Sequence, residues 1–177
     1  MYRVFGRWFS LLVAGSLSVA IAGSTGCAGS RAPTVRPAGD ALRVSHWAER
    51  GDARRRASTR LVLEGLDVGG WGREAEATAH FGRAIQIDPS NPLGYLAMAR
   101  QETFHGDPRR ALEFLDKARA TFGRSADGML ATAHLRGLQG VSLAALGRRD
   151  EAARLLDQAR ALARVWSDDR LDAAELR

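Results

Sequence analysis

Apolar residues after Gly51 recur at three- and four-residue spacing, and no run alternates in and out for more than a few residues. That periodicity predicts helices with one buried stripe and few or no strands. The clearest stripes are Ala77, Phe81, Ala84, then Ala111, Leu115, Ala118, then Ala152, Leu156, Ala159. Each puts a bulky residue between two small ones on one face, which lets neighbouring helices approach closely while the large side chain fills the gap. A second set precedes them less regularly: Leu61, Gly65 and Val68; Tyr95, Met98 and Ala99; Gly140 and Leu143. The pattern predicts an all-α chain of paired helices.

Punctuation between the stripes agrees. Gly72, Gly106 and Gly147 stand just before the second helix of each pair, where a left-handed residue ends a helix. Asp107-Pro108 offers an N-cap followed by a first helical proline. From Ala77 to Ala111 is 34 residues, and from Ala111 to Ala152 is 41. The surplus is expected to lengthen the first helix of the third pair, over about 126–146.

These residues resemble the tetratricopeptide repeat, with repeats at 58–91, 92–125 and 133–166. The sequence departs from the repeat signature at Glu64, at Glu102 and Gly123, and at Arg136, Gln139 and Arg164. The resemblance implies antiparallel helix pairs stacked as a short right-handed superhelix. Ser167 and the polar stretch after it would form a capping helix over 167–177. It further implies a groove lined by first helices that holds a partner's segment. By position, Leu96, Arg100, Thr103, His134, Val141 and Ala144 would line it.

The N-terminal part reads differently. Arg3 and Arg7 precede an apolar run from Phe9 to Ala22, 14 residues long, which suits an export signal and falls short of the roughly 20 needed to span a bilayer. Behind it Ser24-Thr25-Gly26-Cys27 resembles a bacterial lipobox, departing from it at Ser24, and implies removal of 1–26 with Cys27 lipidated. Ala20-Ile21-Ala22 offers a rival cleavage site, which would leave a soluble periplasmic protein. Ala28, rather than Asp, after the cysteine favours the outer membrane. Residues 27–52 are expected to be a basic tether, with a short helix over 41–50 that puts Val44 and Trp47 on one side and ends at Gly51. The helical domain then covers 53–177.

Charge sharpens this division. Residues 31–60 hold eight arginines against Asp40, Glu49 and Asp52, whereas 61–177 hold sixteen basic and seventeen acidic groups. Of the net charge of +6, the collar over 31–60 holds +5 and Arg3 and Arg7 hold +2, while the body is at −1. Such a collar suits anionic lipid or wall polymer, and without interleaved aromatic residues Arg54-Arg55-Arg56 gives no nucleic-acid signal.

Catalytic patterns are missing. His46, His80, His105 and His134 share no metal-ligand spacing, and Gly69-Gly70-Trp71-Gly72 lacks the Gly-Lys-Ser/Thr of a phosphate loop. No serine sits in a nucleophile elbow, and Asp168-Asp169 reads as a helix start. The expectation is a non-enzymatic, cofactor-free envelope lipoprotein that recruits or assembles a protein partner. The alternatives are a factor resembling the pilotins of secretin and type IV pilus assembly, or an accessory subunit of cell-wall enzymes.

Overall fold

The structure is a computed structural model and describes residues 42–122 and 128–163. Cys27, the export signal, the tether before Leu42 and the expected capping helix at 167–177 lie outside the described residues. Those residues form a short 3-10 helix, Val44–Trp47, followed by six α-helices: α1 Ala53–Gly70, α2 Glu74–Ile87, α3 Pro92–His105, α4 Pro108–Phe122, α5 Gly128–Ala145 and α6 Arg149–Leu162. The protein is all-α, and no strand occurs among the described residues.

Consecutive helices pack most extensively as α1 with α2, α3 with α4 and α5 with α6, each second helix then meeting the first helix of the next pair. The connections inside pairs are too short for anything but reversal. Trp71, Gly72 and Arg73 suffice for the first, with Gly72 at φ 75°, and Gly147 at φ 80° serves α5 and α6 in the same way. Gly106 corrects the sequence expectation. Its φ is −133°, outside the left-handed region, and Glu102 turns the chain instead. The Glu102 carboxylate accepts from the Asp107 N–H at 3.0 Å and pairs with Arg110 at 3.2 Å, so it occupies the space a side chain at 106 would need.

The apolar stripes meet as their spacing requires. Ala77, Phe81 and Ala84, with Leu115 and Ala118, are buried in one continuous core, and Ala111 is buried too. In the third pair Ala152 and Ala159 are buried and Leu156 is partly so, packed against the same core. Two glycines set the closest approaches. A Cβ on Gly65 would overlap the Phe81 ring, and one on Gly140 would lie 2.8 Å from Leu156 Cγ. Both pairs of backbones therefore sit nearer than alanine permits.

The turn between the first two pairs is held by a polar cluster. Arg55 donates from Nε to Asp88 Oδ2 at 2.5 Å and from Nη2 to the Ser90 carbonyl at 3.0 Å. Asn91 caps α3 by accepting from the Leu93 N–H at 3.1 Å, and its amide donates to the Ser58 and Thr59 hydroxyls at 3.0 and 3.2 Å. Burial alone would raise the Asp88 carboxyl, but bonds from Ser90 and Arg55 and the arginine charge outweigh it and hold the pKa below the usual carboxylate value. The cluster pins the start of α1 to the entry of α3.

Candidate functional site

The first helices α1, α3 and α5 are in mutual contact along the stack, α1 touching α3 and α3 touching α5. They bring the six residues named from the sequence onto two adjoining helices, α3 and α5. Thr103 and Ser142 share a hydroxyl hydrogen bond at 3.0 Å, which places Thr103 beside the stretch that carries Val141 and Ala144. Thr103 and Val141 are half-buried, and Ala144 is exposed. Arg100 is half-buried with its guanidinium 5.5 Å from the centre of the exposed Phe104 ring. Arg100, Thr103 and Phe104 toward the C-terminal end of α3, and Val141 and Ala144 toward that of α5, are the partly or fully exposed residues of this region.

Leu96 and His134 correct the expectation. They are 1% and 0% exposed, so both belong to the interior as the chain stands and present nothing to solvent. For His134 the physical reason lies in the stretch before α1, expected as a tether with a short helix over 41–50. Leu42 and Val44, each 2% exposed, join the core ahead of α1, and the Leu42 N–H donates to His134 Nε2 at 3.2 Å across 92 residues of sequence. Trp47 follows, its ring edge-on to Phe122 at the end of α4, with centroids 6.3 Å apart and planes at 83°. The 3-10 helix also packs on α1.

No protein-family model matches the chain, and no curated protein matches it. What the site can do therefore rests on its own residues.

His134 is held neutral. Burial, with the positive charge of Arg100 acting in the same direction, lowers its pKa from 6.5 to about 4. A neutral ring is what accepting from the Leu42 N–H at Nε2 demands. This histidine is a hydrogen-bond acceptor for extended backbone, not a general base open to a substrate.

The other histidines are scattered. His80 on α2 lies 3.5 Å from the Glu64 carboxylate on α1, whereas His46 and His105 are exposed on separate elements. Among the described residues no cluster of His, Cys, Asp and Glu is placed to hold a metal. No described helix is long and apolar enough to cross a membrane.

Sequence reasoning placed Val44 and Trp47 on one side of a short helix but missed Leu42, Phe122 and the docking of this stretch on the core. Its signal was present as apolar side chains at i, i+2 and i+5 in a stretch otherwise polar and basic. That spacing suits an extended strand running into a single tight turn better than the α-helical stripe expected there. The structure accordingly shows a 3-10 helix of only four residues, Val44–Trp47, ending short of the Gly51 turn.

Proposed function

We propose that this chain is an exported, lipid-anchored envelope protein whose helical body is a short tetratricopeptide-type array, stacked as a right-handed superhelix. It works as a scaffold without chemistry of its own, holding a segment of a partner protein against its first helices. The observation that carries the reading is the stacking of three helix hairpins with α1, α3 and α5 side by side. A row of first helices is what gives such arrays a continuous ligand-holding face. Arg100, Thr103, Phe104, Val141 and Ala144 suit a peptide that offers apolar side chains and an acidic or carbonyl group to the arginine.

The structure also bears on the alternative in which the basic collar holds wall polymer. Arg55 is committed to Asp88 and Ser90, and Arg56 donates to the Gly51 carbonyl at 2.7 Å. Of this triplet Arg54 is the exposed member. Two of the three arginines thus serve the fold, which favours the protein partner over the polymer.

The test is recovery of partners from detergent-solubilised envelope by the native chain and by an Arg100→Glu, Val141→Asp double variant. The variant is expected to lose at least one partner that the native chain retains. Equal recovery of every partner would sink the scaffold reading. The anchor is tested separately by Cys27→Ser, expected to move the protein from the membrane to the soluble fraction and to abolish acyl mass on the N-terminal peptide.

A further inference from the structure

We propose that the face built by α1, the C-terminal end of α4 and the N-terminal half of α5 is a second recognition site, for an extended apolar protein segment, and that the chain's own Leu42–Trp47 stretch fills it until a partner segment of like chemistry displaces it. The inference rests on the scaffold reading for the identity of the ligand as a protein, and on the structure for the chemistry it presents.

Three anchors define that chemistry. Leu42 and Val44 are buried against the helices, and Trp47 stacks edge-on to Phe122. The polar contact comes from main chain, the Leu42 N–H donating to His134 Nε2. Every residue except proline offers such a donor, so a foreign segment with two aliphatic residues and an aromatic at the same spacing reproduces the contacts in full. A buried neutral histidine facing a main-chain N–H is a receptor for extended backbone.

The occupant is attached as a ligand is, not as a helix of the stack. Its internal bonds are local: the N–H groups of His46, Ala48 and Arg50 donate to the carbonyls of Arg43, Ser45 and Trp47. It joins α1 through Gly51 at φ 85°, a conformation that glycine adopts without strain. On the far side of that pivot α1 is capped by Asp52, whose carboxylate accepts from the Arg55 N–H at 2.8 Å. Arg55 in turn is tied to Asp88 and Ser90. Swinging the segment away about Gly51 leaves the Asp52 cap and the Arg55 bonds in place and gives up the exposed Arg60–Glu49 pair, 3.3 Å in the closed chain.

Tethering decides how such a site behaves. A segment joined by so short a linker acts at an effective concentration on the order of 1 mM, so a free peptide in the micromolar range scarcely competes with it. The native chain is therefore closed to weak ligands and opens to a partner that also engages the neighbouring Arg100 and Thr103 surface.

The experiment uses the full chain and a fluorescein-labelled peptide of residues 40–50, followed by anisotropy. In the native chain binding is expected to be weak, and in a Val44→Asp, Trp47→Ala variant at least tenfold tighter. Adding His134→Ala to that variant is expected to remove the gain. A milder Leu42→Ala, Trp47→Ala variant, with helicity followed by circular dichroism, guards against misreading an unfolded protein. Equal affinity for native and opened chains, or no binding to a folded opened chain, would overturn the proposal. So would loss of helicity in both variants, because an occupant the fold needs is not a displaceable one. Envelope partners recovered equally by native and opened chains would overturn this inference while leaving the scaffold reading intact.

Discussion

Gly65 lies under the Phe81 ring, and its missing side chain is what lets α1 and α2 close on each other. Gly65→Val forces the ring out of place and adds a β-branched residue to a helix. The expected loss is about 1–3 kcal/mol of overpacking, read as a lower urea midpoint with unchanged slope. His134 makes a different demand. Above pH 6.5 its ring is neutral whether the chain is folded or unfolded, so pH has no effect through it. Between 6.5 and about 4 the unfolded chain takes up a proton that the folded chain, with the ring buried beside Arg100, refuses. Stability is expected to fall by about 1.4 kcal/mol per pH unit across that window and to level off below it. His134→Gln keeps an acceptor for the Leu42 N–H and cannot titrate, so its Tm is expected to stay flat over the same range. Asp88, with its pKa lowered below 3.8, contributes stability that is lost only as pH falls through still lower values, outside the histidine window.

At the scale of elements, the entry to α3 carries more than its length suggests. Asn91 caps the helix and at the same time satisfies the hydroxyls of Ser58 and Thr59, all three side chains being buried. Asn91→Ala removes the cap and strips two buried hydroxyls of a partner, for an expected cost of about 2–4 kcal/mol in chemical denaturation. Asn91→Asp keeps the cap acceptor but not the amide donor, and is expected to fall between. The helices themselves were legible, because a small-large-small stripe at helical spacing has few other solutions, and α5, Gly128–Ala145, matches the long first helix expected over 126–146 within its described bounds. The turns were legible where glycine adopts positive φ, at Gly72 and Gly147. Gly106 misled, since the same residue type served a different need: room for the Glu102 carboxylate that caps the following turn. Glu102, read from sequence as a departure from the repeat signature, is the residue that makes this variant turn work.

For the whole molecule, charge separates a basic stretch over 31–60 from a nearly neutral remainder, but the helical body begins inside that stretch, with α1 at Ala53 and Leu42 and Val44 already in the core. Arg100, Thr103, Val141 and Ala144 lie on the first helices α3 and α5, as position along the repeats implied, and none of them is fully buried. His134 was misplaced because Leu42, which bonds to it, arrives from 92 residues earlier in the chain, a contact no local pattern encodes; Leu96 is interior as well. Trp71, at the α1–α2 turn, is 73% exposed. The central claim, that a partner lies along the first helices and not the outer ones, is tested most directly by site-specific photocrosslinking in intact cells. A benzophenone amino acid would replace Thr103 on α3 or the exposed Lys117 on α4. The expected result is a discrete adduct with a protein partner from position 103 and none from position 117. Adducts of equal yield from both positions, or from 117 alone, would contradict it.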